Sequence, residues 1–225
     1  MEQGSQEWFE ARRCKVSGTR LDEVMGSPNA RGQLIAKLIS EEGTEQVKMM
    51  NTTPDMERGS GEEAFAIKMF EQKTGKKVDK VGLCSSDEYD FLVLSPDGLI
   101  KNGGKYTEAV EVKSPNSHTA IYYKMCNMIE EKELGLTPAK RPFIGVPADY
   151  KWQVVNYFLV NPDLEKLYFI VYDVRFIDEG AKMYVVEVER SNELLQDALK
   201  DVRQSLTHFR EDWLRFKEVV LPTQF

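Results

Sequence analysis

Asp97, Glu111 and Lys113 are the residues of this chain with the clearest capacity for chemistry. Asp97 sits between Pro96 and Gly98, and Glu111 and Lys113 flank Val112 in an apolar stretch. Residues two apart on a strand share a face, so Glu111 and Lys113 are expected side by side. Two carboxylates on neighbouring strands can hold a divalent cation, and Mg²⁺ suits hard oxygens and needs few protein ligands because it keeps waters. An ion held in this way lowers the pKa of bound water and stabilises charge on a phosphodiester. A lysine on the same face can orient or deprotonate the attacking water and offset developing charge. The chemistry these residues point to is phosphodiester hydrolysis.

Taken singly, each piece has a plainer explanation. A Glu and a Lys two apart on a strand are commonly an exposed ion pair. A Pro-Asp-Gly run is commonly a turn, and Glu63 alone is a solvated helix residue. Gln153 and Tyr157, four apart on one helix face, can simply bond to each other. Their joint occurrence in chain order is what favours a site: Glu63 after Arg58 and Gly59, then Pro96 and Asp97, then Glu111 and Lys113, then Gln153 and Tyr157.

The elements that must position these groups follow from patterning. Residues 6–13 are expected to be helical, with Trp8 and Phe9 as anchors. Ser17 or Thr19 is expected to cap a short helix through Met25. Leu34, Ile35, Leu38 and Ile39 have helical spacing, and residues 41–55 are expected to be rich in loops. A helix is expected over 61–73, ended by Gly75. Strands are expected over 78–84, 91–94, 98–100 and 109–112, with Asn102, Gly103 and Gly104 as the turn between the last two. Helices are expected over 119–132 and 150–159, strands near 167–174 and 182–188, and an amphipathic helix over 192–216. The expected fold class is α/β, a central mixed sheet in a mostly antiparallel meander flanked by helices. With no repeat or linker, residues 1–225 are read as one domain.

Composition bounds the function classes. Hydrophobic content of 41% and charged content of 30% are those of a globular chain with a sizeable core. No apolar run is long enough to span a bilayer and no export signal is evident. Cys14, Cys84 and Cys126 lack CxxC spacing and read as reduced thiols, and the two histidines are too far apart to suggest a His-rich metal site. A net charge of −7 argues against coating nucleic acid through bulk charge. It leaves room for a DNA enzyme with its cations gathered in one channel. Arg12, Arg13, Lys15 and Arg20 form one basic cluster, and Lys73, Lys76, Lys77 and Lys80 form another.

The combination resembles the PD-(D/E)xK nucleases, through Pro96 and Asp97 followed by Glu111 and Lys113. More narrowly, it resembles the phage lambda-type (viral recombinase) exonucleases. Trp8, Arg12, Ser17 and Thr19 match that family's opening, Gly59 and Glu63 its Gly-x3-Glu helix, and Gln153 its Gln-bearing helix. The resemblance implies a restriction-endonuclease-like core and a 5′→3′ exonuclease acting on double-stranded DNA ends. Such an enzyme leaves 3′ single strands for a phage-type annealing partner and assembles as a homotrimeric ring. It implies Mg²⁺, as two ions with Mn²⁺ able to substitute. Asp97, Glu111 and the Val112 carbonyl would be ligands, Glu63 would serve a second ion or act through water, Gln153 would join the catalytic set, and Lys113 would activate water. Arg12, Thr19 and Ser95 would hold a 5′ phosphate. The family's glycine two residues past the arginine is Cys14 here, which leaves both Arg12 and Arg13 open as the phosphate ligand. The resemblance also places the protein in the cytoplasm of a bacterial host, encoded by phage or prophage.

Three function classes follow: an exonuclease on DNA ends, an endonuclease on the same scaffold, and a non-catalytic DNA-binding protein. An intact Asp97, Glu111 and Lys113 set counts against the third. A terminal-phosphate ligand near Arg12 favours the first over the second.

Overall fold

A computed structural model describes residues 4–44 and 54–221. The chain begins with α1 (Gln6–Ala11), α2 (Gly18–Met25), α3 (Pro28–Gly43) and α4 (Pro54–Thr74). It continues through β1 (Cys84–Ser85), β2 (Val93–Leu94), β3 (Gly98–Asn102) and β4 (Lys105–Lys113). Then come α5 (Ser117–Met128), α6 (Glu131–Leu134), α7 (Lys151–Val160), β5 (Lys166–Tyr172), β6 (Met183–Glu189) and α8 (Glu193–Val220).

The main sheet has the order β3-β4-β5-β6, and β1 pairs with β2 apart from it. The β4–β5 pairing is parallel and its neighbours are antiparallel, so the sheet is mixed and the expected run of antiparallel strands is broken at its centre. Gly103 and Gly104 close the β3–β4 hairpin at φ 57° and 91°. Two successive left-handed residues suit the twist of a two-residue hairpin.

Alternation along β4 divides the core. Ala109 packs with Leu167, Phe169 and residues of α2, α3, α7 and α8. Val110 and Val112 pack with Ala66 and Phe70 of α4. A strand between two apolar layers buries both faces, so Glu111 stands on the α7 side with the parity of Ala109 and is 1% exposed.

Several boundaries differ from expectation. The segment over 78–84 is not a strand: Asp79 pairs with Leu99 as an isolated bridge, and only Cys84–Ser85 extends. Charged Asp79 and Lys80 and Gly82 interrupt its apolar character. Helix α4 begins at Pro54 and carries Gly59 and Gly61 inside it, each at a cost of about 1 kcal/mol relative to alanine. Helix α3 reaches Gly43, into the expected loop; residues 45–53 of that loop lie outside the described residues. Helix α5 stops at Met128, and α8 extends to Val220. The three cysteines form no disulfide. Among the described residues no helix is long and apolar enough to cross a membrane.

Candidate active site

Strand β4 supplies the centre of the site because it outruns its neighbour. The β3–β4 ladder ends where Gly98 faces Val110. Beyond it, the Asp97 side chain takes the place of a strand: its Oδ2 accepts the Val112 N–H at 2.7 Å. The N–H and C=O of one strand residue point to the same edge, so the Val112 carbonyl is aimed past the end of β3, beside Asp97. Gly98 makes this approach possible, since a Cβ there would lie 2.2 Å from Val78 Cγ1. Asp97 is therefore not an exposed turn carboxylate; it is 8% exposed.

Glu111 is held from three directions. Gln153 Nε2 donates to its Oε1 at 2.6 Å. Lys113 Nζ lies 2.5 Å from the same oxygen. The Tyr157 hydroxyl bonds its Oε2, lies 3.2 Å from the Val110 carbonyl, and accepts the Asp97 N–H at 3.3 Å. Gln153 and Tyr157 thus both serve Glu111 instead of bonding to each other, and the pairing of Glu111 with Lys113 is buried, not a surface pair. The Lys113 ammonium also sits 5.1 Å from the centre of the Tyr150 ring.

Electrostatics mark the cluster as short of positive charge. Burial, and then the neighbouring charge of Glu111, push the Asp97 pKa well above its usual value; Lys113 opposes this and Glu63 adds to it. Burial works to lower the Lys113 pKa, but Glu111 and Asp97 outweigh it and hold the group above the ordinary lysine value. The ammonium is therefore charged. Burial, and then Glu111 and Asp97, also raise the Tyr157 hydroxyl well above its ordinary value, so it stays protonated and can donate.

Glu63 borders this cluster from α4. Its charge reaches Asp97 and Lys113, while its Oε1 lies 3.3 Å from Lys80 Nζ. The adjacent Glu62 is more buried but turns to Arg58, 3.4 Å away. Among the described residues, no three His, Cys, Asp or Glu side chains stand together as a metal cage. The donor set that converges is two buried carboxylates and a strand-end carbonyl, with a third carboxylate nearby. Hard oxygens and surplus negative charge fit a hard divalent cation that keeps part of its water shell.

The proposed phosphate residues lie at the end of α1 (Arg12), in the first turn of α2 (Thr19) and two residues before Asp97 (Ser95). Among the described residues the Arg12 guanidinium makes no hydrogen bond or ion pair; it lies 4.1 Å from the centre of the Trp8 ring. Burial, and then Arg20, lower its pKa to about 10. The Trp8 indole N–H donates to Ser95 Oγ at 3.1 Å, which joins Arg12 through Trp8 to Ser95. Ser17 caps α2 without a side-chain bond to its backbone and instead lies 3.1 Å from Thr19 Oγ1. Among the described residues no side chain caps the first N–H groups of α2. A Cβ on Gly18 would meet Gln153 Cγ at 3.1 Å, so this helix start abuts the residue that holds Glu111.

Arg13 is committed elsewhere. Its Nε donates to the Glu41 carbonyl at 2.6 Å and its Nη2 to the Thr44 carbonyl. Cys14 has φ 55°, the left-handed region that favours glycine. A glycine is the natural occupant of such a corner, and Cys14 holds it here. Glu41 pins it: its Oε2 accepts the Cys14 N–H at 3.0 Å while its carboxylate pairs with Arg20. Of the basic clusters, Lys15 is spent on the Asp90 carbonyl, and Lys76 and Lys80 on Glu108 and Glu63.

The sequence reading brought out Asp97, Glu111, Lys113 and Gln153, and these stand together. It noted Tyr157 without a role. Trp8 was read as an anchor and as part of the family's opening motif, without its bond to Ser95, and Glu41 was missed. The only signal for Tyr157 was its spacing of one helical turn from Gln153.

Comparison with known proteins places this architecture. The sequence model of the YqaJ-like viral recombinase domain matches residues 7–161. An alkaline exonuclease of Laribacter hongkongensis, LHK-Exo, has a similar structure at 24% identity and a TM-score of 0.70, covering 95% of this chain and 97% of that one. The same values hold for that enzyme's complex with dAMP. A phage-related exonuclease of Haemophilus somnus is similar at 14% identity and a TM-score of 0.60, covering 89% of this chain and 95% of that one. No curated protein sequence matches. The fold, a central mixed sheet flanked by helices, is shared with these exonucleases.

Proposed function

Because the chain belongs to the YqaJ-like viral recombinase family, we propose that it is a divalent-metal-dependent exonuclease that degrades one strand of linear double-stranded DNA, 5′→3′, and leaves 3′ single strands. The observation that carries this reading is an Arg12 guanidinium with no polar partner among the described residues, ahead of an α2 start whose Gly18 abuts Gln153, the residue that holds Glu111. A hydrolytic cluster alone suits an endonuclease equally well. A desolvated arginine without a partner, next to free helix N–H groups and hydroxyls, suits a terminal phosphate.

Asp97, Glu111 and the Val112 carbonyl would hold one Mg²⁺, with Glu63 serving a second ion or acting through water; Mn²⁺ could substitute. Such an ion supplies Lewis acidity and a water of lowered pKa. The chain does the rest. Gln153 and Tyr157 fix the Glu111 carboxylate by occupying its lone pairs. Lys113, charged and half-buried, orients the attacking water and meets charge that develops on the phosphate. Arg12, Thr19 and Ser95 place the 5′ end, so that the first phosphodiester lies at the cluster. Assembly as a homotrimeric ring, a phage-type single-strand annealing protein as partner, a single domain over 1–225, and action in the cytoplasm of a bacterial host complete the proposal.

The test is incubation with Mg²⁺ on linear and on closed-circular duplex DNA. Loss of the linear form alone is expected. Cutting of the closed circle would place the protein among endonucleases.

A further inference from the structure

Beside the first turn of α7 lies a cavity of about 570 Å³, lined in part by Asp22, Arg141, Phe143, Asp149, Lys151 and Trp152. Its chemistry is unlike that of the carboxylate cluster. Lys151 Nζ stands 4.9 Å from the centre of the Phe143 ring and 4.3 Å from that of Trp152. Among the described residues Lys151 makes no hydrogen bond or ion pair. Burial lowers its pKa, and Asp201 on α8 opposes that. Asp149, the nearer acid in sequence, is taken by Lys140 at 3.1 Å. An ammonium whose water is partly replaced by two rings, and which has no paired anion, has capacity left for one.

The wall carrying Phe143 is held under strain. Phe143 and Val146 exchange both backbone hydrogen bonds, at 2.7 and 2.9 Å, across Ile144 and Gly145 at φ 53° and 80°. A β-branched residue with positive φ is an outlier, and such strain persists only where surroundings enforce it, often at ligand clamps. Here Asn127 Nδ2 donates to the Gly145 carbonyl, and a Cβ on Gly145 would lie 2.8 Å from Asn127 Oδ1. The ring is thus presented by a turn that Gly145 suits and Ile144 does not.

The cavity also adjoins the reacting end of the molecule. Trp152 precedes Gln153, and Tyr150, just before Lys151, lies under the Lys113 ammonium. Asp22 is one helical turn along α2 from Gly18, which abuts Gln153.

We propose that this cavity receives a nucleotide of single-stranded DNA, with its base against Phe143 and Trp152 and its phosphate on Lys151, so that the unhydrolysed strand is led past the start of α7. The proposal takes its location from the nuclease reading. Aromatic faces with a cation between them suit an unpaired base, because a duplex keeps its base faces stacked inside. A free mononucleotide offers the same chemistry and is the competing source.

The experiment is anisotropy of a labelled oligothymidylate in EDTA, so that binding is read without hydrolysis, together with quenching of Trp152 fluorescence. Phe143→Leu and Lys151→Gln are compared with wild type, each checked for an unchanged circular dichroism spectrum. Stacking contacts of this kind are worth enough that each variant should bind at least about fivefold more weakly. Trp152→Phe, which keeps a ring, should retain most of the affinity and lose the quenching. Unchanged affinity in Phe143→Leu and Lys151→Gln overturns the proposal. So does thymidine monophosphate displacing the oligomer at concentrations comparable to its own, which would make the cavity a mononucleotide site. Failure of this binding with intact digestion of linear DNA removes the strand path alone; failure of digestion with intact binding removes the exonuclease reading instead.

Discussion

Arg12 and Arg13 are adjacent in sequence and opposite in use, which makes the phosphate pocket testable by a pair of substitutions. Arg12 rests on the Trp8 ring without a polar partner among the described residues, whereas Arg13 is spent on the Glu41 and Thr44 carbonyls. Removing Arg12 therefore costs few internal bonds, and removing Arg13 costs two. A charge-assisted hydrogen bond contributes roughly 1.5–3 kcal/mol, and each 1.4 kcal/mol is about tenfold in rate or affinity. Wild type should degrade a 5′-phosphorylated duplex about ten- to a hundredfold faster than the 5′-hydroxyl duplex, and Arg12→Ala should lose most of that ratio while melting near wild type. Arg13→Ala should keep the ratio and lose about 1–3 kcal/mol of stability, a fall in Tm of several degrees for a chain of this size. Single-turnover initial rates on the two matched duplexes separate the chemistry from slow loading. An Arg12→Ala protein with the wild-type ratio, or a folded Arg13→Ala protein without it, would refute the reasoning.

Asp97→Asn keeps an oxygen for the Val112 N–H and removes a charge repelled by Glu111; it should melt at or above the wild-type temperature and show no Mg²⁺-dependent hydrolysis, and a folded, active variant would remove Asp97 from the metal site. Lys113→Ala should still bind DNA but lose about 10²- to 10⁴-fold in rate, so full-rate cleavage would mark the ammonium as structural. Cys14→Gly should be more stable than Cys14→Ala by about 1 kcal/mol, since both lose the thiol and only glycine relieves the positive φ; equal thermal melts would show no strain at that corner. Asp173 is buried; burial would raise its pKa, but Arg175 and Ser117 outweigh this and hold it at about 2 against an ordinary 3.8. A depressed carboxylate contributes stability that is present above its unfolded value and lost as pH falls through the folded one. Because Ser117 and the Arg175 backbone N–H remain and the guanidinium is partly in solvent, Arg175→Met should cost about 1 kcal/mol at neutral pH, with the gap to wild type closing between pH 4 and pH 2 in denaturant titrations; a gap that stays constant with pH would detach the pair from stability.

The parts of the site that were legible in the sequence are those whose geometry is local. Period-two spacing put Glu111 and Lys113 on one face, and Gly103 with Gly104 announced the hairpin that brings Asp97 to Val112. What pattern alone could not supply were partners distant along the chain. Tyr157 reaches both Asp97 and Glu111, and Trp8 reaches Ser95, through contacts that no periodicity encodes. The parallel pairing of β4 with β5 was hidden for the same reason, because a buried apolar strand reads alike in either direction. Cys14 hid its left-handed corner, since a cysteine there carries no sign of the backbone it must adopt.

That parallel pairing has a consequence for how the molecule comes into being. The β3–β4 hairpin joins near neighbours across two glycines, and hairpins close in microseconds. Val112 finds Ile170 only after α5, α6 and α7 have been laid between them, and pairings so far apart along a chain form slowly. Until then the strand that carries Glu111 and Lys113 has one edge satisfied and one bare. An apolar strand with an open edge is a template for any other chain. The charges of Glu111 and Lys113, still in water at that stage, then serve a second purpose: they keep the nascent edge from being uniformly apolar, and they are withdrawn from solvent only when α7 arrives with Gln153 and Tyr157.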